Sequence, residues 1–176
     1  MEVMGLKKYI PAVLIFLFAT WIPAQSTAWQ TYSYPADGFS ISTPSAPTVH
    51  TDSVPTDAGN FQLHGYLVEG DAAAWYVGVT DYGSVATGRN PQTMLQGAKT
   101  GAMNNVKGRL INESQITLGV YPGLSFEAEN DTYHFQARLY LVGSTLYQTL
   151  IAYPIGKVPE GVDRFFNSFQ LLARAQ

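Results

Sequence analysis

The 176-residue sequence contains no cysteine and few charged residues. The missing cysteine excludes disulfide scaffolds and cysteine-ligated metal fingers. Charged residues make up 13% of the chain, about half the usual share, while aromatic residues also reach 13%. Disorder over most of the chain is excluded, because disordered segments combine low hydrophobicity with high charge. The formal net charge of -3 provides no basic footprint, so no nucleic-acid partner is expected.

The sequence also lacks the short motifs of common catalytic centres. It has no Gly-x-Ser-x-Gly elbow, no His-Glu-x-x-His pair and no phosphate-binding loop. We therefore assign no catalytic residue and expect no cofactor. Glu127 and Glu129 share one face of a predicted strand, as paired catalytic carboxylates do. Two acids on a wet sheet edge are the simpler interpretation.

The first 28 residues have the order of a secretory signal peptide. Two lysines precede an apolar run from Ile10 to Ile22, and the small residues Ser26 and Ala28 form a cleavage site. A membrane anchor is the alternative, but the apolar run is shorter than the roughly 20 residues that span a bilayer. We predict cleavage before Trp29. The mature protein, residues 29–176, would be one periplasmic or extracellular domain without a membrane span.

Hydrophobic alternation and turn residues predict nine strands in the mature chain. These are Gln30–Ser33, Phe39–Thr43, Thr48–Val54, Phe61–Glu69, Ala74–Asp81, Arg109–Thr117, Leu124–Glu129, Tyr133–Val142 and Thr145–Tyr153. A turn is predicted over Gly119–Gly123, and a second helix is predicted to open at Pro159. Short turns make adjacent strands antiparallel. The expected fold class is α+β, with a central antiparallel β-sheet flanked by helices in an α/β/α sandwich.

The clearest helix signal begins at Asn90. Its side chain can cap the free amides of a helix over Pro91–Val106, and a proline suits the first helical position. Leu95, Ala98 and Ala102 recur at spacings of three and four, so they are expected to face the sheet. Gly97 and Gly101 lie near this stripe and suggest a close approach of the helix backbone to the sheet.

Four phrases in the chain carry a family resemblance. They are Tyr34-x-x-x-Gly38-Phe39-Ser40-Ile41-x-x-Pro44, Gly119-x-x-Pro122-Gly123-x-x-Phe126, Arg138-Leu139-Tyr140-Leu141-x-Gly143-x-x-x-Tyr147 and Phe165-Phe166-Asn167-Ser168-Phe169-Gln170-Leu171. With this order of elements they resemble the PsbP-like superfamily, named after the extrinsic subunit of photosystem II, and above all its exported bacterial branch. The resemblance implies a central antiparallel sheet between helices. It supplies no catalytic motif.

Two histidines suggest a metal site. If Thr48–Val54 and Phe61–Glu69 form a hairpin about residue 57, His50 and His64 fall nearly opposite each other, with Asp52 on the same face. Two imidazoles and a carboxylate can bind zinc or copper. A register slip of one residue would place one histidine on the other face of the sheet.

A second candidate site is one face of the last three long strands. Two-residue loops at Asn130-Asp131 and Gly143-Ser144 would place Glu127 opposite His134, and His134 opposite Tyr153. The predicted ligand or partner face comprises Glu127, His134, Arg138, Tyr140, Tyr147 and Tyr153. The alternatives are an ordinary solvent-exposed face, or one covered by the C-terminal helix. The opposite face is expected to be the better core, with Phe126, Phe135, Leu139, Leu146 and Leu150.

Three functions fit these features. The first is a non-enzymatic exported domain that binds a partner protein or assists assembly in the cell envelope. It is supported by the export signal, the resemblance and the missing catalytic motifs. The alternative is a binding module for a small ligand or glycan, because tyrosine-rich faces stack on sugars and apolar molecules. A hydrolase with a site scattered across loops ranks third.

Overall fold

The computed structural model of the chain describes residues 29–56 and 59–173. The predicted signal peptide lies outside these residues. Ten strands, two α-helices and one 3-10 turn occur in the described part. In chain order they are β1 Gln30–Tyr34, β2 Phe39–Thr43, β3 Thr48–Thr56, β4 Gly59–Glu69, β5 Ala74–Asp81, the 3-10 turn Gly83–Ala86, α1 Pro91–Val106, β6 Arg109–Leu118, β7 Tyr121–Glu129, β8 Tyr133–Val142, β9 Thr145–Pro154, α2 Val162–Ser168 and β10 Gln170–Leu171.

The strands form two antiparallel sheets. The larger has seven strands in the order β3-β4-β5-β9-β8-β7-β6, and the smaller has three in the order β1-β2-β10. Most neighbours in the larger sheet are consecutive hairpins, as the short predicted turns require. The exception is β9, which returns to pair with β5 after α1 and three intervening strands. The β5–β9 pairing joins the two runs of hairpins into one open sheet, with β3 and β6 as its edges.

Helix α1 begins and ends where the sequence predicts. The Asn90 side chain accepts hydrogen bonds from the backbone N–H groups of Gln92 and Thr93, at 2.8 and 3.3 Å. These bonds satisfy two of the amides that a helix start leaves free. The helix lies over β7 and β8, and Leu95 is fully buried. It packs into a cluster made of Leu124, Phe126, Ala137, Leu139, Leu141 and Leu146.

The opposite face of the large sheet is covered mainly by the small sheet and α2. Phe39 and Ile41 of β2 and Phe165 of α2 are fully buried there, in the larger of the two core clusters. The antiparallel sheet is confirmed. The fold is more β-rich than the expected α/β/α sandwich, because strands β1, β2 and β10 provide much of the layer that was assigned to helices.

The predicted turn over Gly119–Gly123 is too long. Strand β7 begins at Tyr121, and only Gly119 and Val120 separate it from β6. Gly123 lies within the strand and against β8, where an added Cβ atom would lie 2.7 Å from the Leu139 carbonyl oxygen. This glycine therefore permits close strand contact rather than a turn.

Candidate functional site

The ligand face predicted from the sequence depends on the registers of two strand pairs, β7–β8 and β8–β9. The β8–β9 hairpin has the expected pairs, including His134 with Tyr153 and Tyr140 with Tyr147. The β7–β8 register was wrong by two residues, since Glu127 lies opposite Gln136. The reason is the turn: the Asn130 side chain accepts hydrogen bonds from the N–H groups of residues 132 and 133, which lengthens the loop. A shift of two keeps every side chain on its predicted face.

The three tyrosines of that face are buried. Tyr140, Tyr147 and Tyr153 are at most 5% exposed, so they cannot line an open recognition surface. Phe169 stacks on Tyr140 with ring centroids 5.9 Å apart. The Arg138 guanidinium lies 4.8 Å above the ring of Phe166 in α2. The structure therefore corresponds to the alternative in which the C-terminal helix covers this face. The tyrosine face contains the larger of the two core clusters.

What remains of the predicted face near the solvent is a small cluster around His134. Its Nδ1 lies 2.9 Å from Glu129 and its Nε2 lies 3.2 Å from Glu127. The imidazole also stacks on the Tyr153 ring at 5.1 Å. Burial is the main reason that the pKa of Tyr153 is raised, and the charges of Glu127 and Glu129 raise it further. Each imidazole nitrogen faces a different carboxylate, but only Nδ1 forms a hydrogen bond with its neighbour, Glu129. The buried Nε2 has no hydrogen-bond partner among the described residues.

The structure does not bring the predicted metal ligands together. His64 lies opposite Thr51, and His50 lies opposite Gly65, so the two imidazoles are on opposite faces of the sheet. The hairpin register differs by one residue from the expected pairing. His50 stays near Asp52, with Nε2 3.4 Å from the carboxylate. Over residues 29–56 and 59–173, no group of three or more histidine, aspartate or glutamate side chains is arranged to hold a metal.

His64 instead joins a network centred on Asp37, in the turn between β1 and β2. The Asp37 carboxylate lies 2.8 Å from His64 Nδ1 and accepts a hydrogen bond from the Tyr66 hydroxyl. The Tyr147 hydroxyl donates to the Asp37 backbone carbonyl at 2.8 Å. The network joins the small sheet to the large one. The sequence does not indicate this network, because the partners of Asp37 stand far along the chain.

A wide opening lies between α1 and the half of the sheet that α1 leaves uncovered. It is a groove of about 1030 Å³. Strands β4, β5 and β9 provide its floor: Phe61, Leu63, Tyr76, Thr80, Leu146, Gln148 and Leu150. Helix α1 provides its wall: Thr93, Met94, Gly97, Ala98, Gly101, Ala102, Asn104 and Asn105. Val54, Tyr82, Val85, Arg89 and Asn90 complete the lining.

The two helix glycines help to keep the groove open. A Cβ atom added to Gly97 or Gly101 would meet no atom within 4 Å. The predicted close approach of the helix backbone to the sheet is therefore wrong at both positions. Leu95, Ala98 and Ala102 do pack toward the sheet as expected. The missing side chains at residues 97 and 101 leave space beside that contact.

The groove combines an apolar floor with a few polar groups. Tyr76 is partly buried, and burial raises the pKa of its phenol to about 12, with the nearby Asp52 charge as a second cause. His50 and Asp52 therefore lie on the groove side of the sheet. These are two of the three predicted metal ligands, and the third, His64, lies on the other side. Ligand sites in proteins have this composition, with mostly apolar walls and sparse polar groups. Sequence reasoning missed the groove because its floor and wall are far apart in the chain.

These features define the class of fold: the chain has a PsbP-like fold. The solution structure of cyanobacterial PsbP (CyanoP) from Synechocystis sp. PCC 6803 is similar to it, with a TM-score of 0.56 and 13% sequence identity. The match covers 85% of this chain and 95% of that one. The resemblance drawn from the sequence phrases is thereby confirmed for the fold.

A second solved structure is the protein PA94 from Pseudomonas aeruginosa, described as a putative regulator of unknown function. It matches with a TM-score of 0.40 and 8% identity, over 76% of this chain and 88% of that one. No family model and no curated protein sequence matches the chain. In the part of the chain that the structure describes, no helix is both long and apolar enough to cross a membrane.

Proposed function

We propose that this chain is an exported, non-enzymatic binding domain that holds a small, largely apolar ligand in the groove beside α1. The groove itself is the observation that carries the proposal. Its volume, about 1030 Å³, matches the upper range of ligand pockets, roughly 300–1,000 Å³. Half-buried apolar side chains such as Leu63 and Leu150 form its floor, and covering them with a ligand is favourable.

The groove changes the ranking of the candidate functions, so that binding of a small ligand now comes before binding of a partner protein. The tyrosine face that would have served a partner protein or a glycan is inside the core, whereas the groove is open. Its mostly apolar floor favours an apolar ligand over a glycan.

The remaining support for export is the signal-like segment, residues 1–28. Trp29, which would follow the cleavage site, already packs edge-on against Trp75 at 5.0 Å.

The experiment fills the groove from its helix wall. A leucine at Gly101 would point into open space, so Gly101→Leu is expected to fold and to occlude the groove. The matched control is Thr100→Leu, on an exposed neighbouring residue that does not line the groove. Native mass spectrometry of the protein recovered from its host should find a bound small molecule on the parent and on Thr100→Leu. Gly101→Leu should have lost it.

A bound molecule that survives Gly101→Leu would place the ligand elsewhere and contradict the proposal. The circular dichroism spectrum and the denaturation midpoint of each variant separate occlusion from misfolding. The absence of any small molecule from all three proteins, in a host that carries the native gene, would also count against a ligand-binding role.

Binding of a partner protein is the second candidate function. It is favoured by β6, an edge strand of the large sheet with Leu110 and Ile111 exposed. Exposed edge strands can pair with a strand of another protein. The variant Ile111→Lys should weaken such pairing without affecting the groove, and size-exclusion chromatography with the envelope fraction would measure it.

A further inference from the structure

Charge is distributed unevenly around the groove. In the described part of the chain, Arg89 is the only charged residue among those that line it. Arg89 is exposed and forms no salt bridge with another described residue. The protein as a whole is acidic, with a formal net charge of -3. A lone cation beside an apolar groove in an acidic protein is complementary to a ligand with one negative charge and an apolar body.

We propose that the groove binds a monomeric single-chain anionic amphiphile, a long-chain carboxylate, with its head at Arg89 and its chain along α1. This inference rests on the proposed function and names the ligand class of the same site. The guanidinium presents a planar fork of donors that matches a carboxylate in two parallel hydrogen bonds. Arg89 directly precedes the helix cap Asn90, so the head would lie at the N-terminal end of α1.

The shape of the groove favours a linear chain over a compact ring system. Its helix wall runs from Thr93 to Asn105, which at 1.5 Å per residue is a length of about 18 Å. Gly97 and Gly101 leave the middle of this wall without side chains. Across from the wall, the apolar side chains of the floor can cover a hydrocarbon tail. A compact ring system shorter than this length would leave one end of the groove empty.

The neighbouring charges orient the ligand in the groove. Asp52 acts electrostatically on Tyr76, so a negative head beside that tyrosine is disfavoured. The first amides of α1 are occupied, since Asn90 already accepts hydrogen bonds from the N–H groups of Gln92 and Thr93. The Arg89 side chain is therefore the charged group left to meet the head. No acidic side chain among the described residues lines the groove. Asp52 borders it beside Tyr76, so a cationic head would be favoured only at that point and not beside Arg89.

Three probes of equal chain length test the inference: dodecanoate, dodecanol and dodecylamine, each titrated by calorimetry below its micelle concentration or its solubility limit. Dodecanoate should bind most tightly and dodecylamine most weakly. Arg89→Gln should weaken dodecanoate by about fivefold, the upper range for an exposed ion pair, and leave dodecanol unchanged. Arg109→Gln is the matched control, because Arg109 is exposed but does not line the groove. It should bind all three probes as the parent does.

Two results separate the inference from the proposed function. Equal affinity for dodecanoate and dodecanol, both lost in Gly101→Leu, would overturn the anionic preference while leaving ligand binding in the groove intact. No binding of any probe would overturn the proposed ligand class, while the native mass spectrum still tests ligand binding in the groove. Binding that Gly101→Leu does not change would overturn both. Anionic phospholipid vesicles form a further arm. Binding to vesicles without binding to monomeric dodecanoate would replace the proposed ligand with a membrane surface.

Discussion

The imidazole Nδ1 of His64 lies 2.8 Å from the carboxylate of Asp37, which stands 27 residues earlier in the chain. The same carboxylate accepts a hydrogen bond from the Tyr66 hydroxyl. His64 and Tyr66 are on the large sheet, and Asp37 is in the turn that joins β1 to β2. The contact therefore docks the small sheet on the face that the sequence proposed as a binding surface, and it helps to bury that face.

We expect Asp37→Ala to lower the free energy of unfolding by about 1–3 kcal/mol, because the hydroxyl of the buried residue Tyr66 would lose its acceptor. Urea denaturation followed by circular dichroism measures the loss. The control is Asp71→Ala, at an exposed turn position, which should change stability by less than about 0.5 kcal/mol. Equal midpoints for the two variants would mean that the Asp37 network does not hold the sheets together.

Glycines at two positions should respond oppositely to alanine. Gly101→Ala is expected to stabilise the protein by about 1 kcal/mol, since it raises helix propensity at an exposed site where the new Cβ meets nothing. Gly123→Ala should destabilise it, because that Cβ would lie 2.7 Å from the Leu139 carbonyl oxygen. Thermal denaturation of the two variants gives the comparison. A loss of stability in Gly101→Ala would contradict the open wall of the groove.

The phenol of Tyr76 makes stability depend on alkaline pH. Burial raises its pKa from 10.0 in the unfolded reference to about 12 in the fold. Its contribution is fully present below pH 10 and is lost as the pH rises from 10 to about 12. Tyr76→Phe removes this titration and keeps the ring. Over that interval the variant should lose less stability than the parent, as measured by urea midpoints at each pH, and identical slopes would refute the assignment.

Processing is expected to leave Trp29 at the N-terminus of the exported protein. N-terminal sequencing of material from the host's periplasm or culture medium reads this residue directly. Ala28→Lys should block cleavage, because the site requires a small residue at that position. Recovery of the chain with Met1 intact in the membrane fraction would show that residues 1–28 act as an anchor.

The local pattern of the chain was sufficient for much of the fold. The Asn90 cap and the apolar stripe of α1 predicted the helix Pro91–Val106 with both ends correct. Alternation and turn residues predicted nine of the ten described strands, because side chains of a strand point to opposite faces with a period of two. The short strand Gln170–Leu171 was not predicted. The two-residue loop at Gly143-Ser144 also predicted the β8–β9 register, since a tight turn leaves no freedom in the pairing of the strands that it joins.

The candidate sites depended on interactions that no local pattern contains. The longer turn at Asn130 and the β3–β4 hairpin each changed a register, and the second change moved His64 away from His50. Alternation defines two faces of a sheet but not which face is covered, so the tyrosine face became core only when α2 and the small sheet packed on it. The groove likewise arises because α1 covers β7 and β8 and leaves the floor of β4, β5 and β9 open. The sequence determined the elements through short-range periodicity and capping, whereas long-range packing decided which surfaces were left for binding.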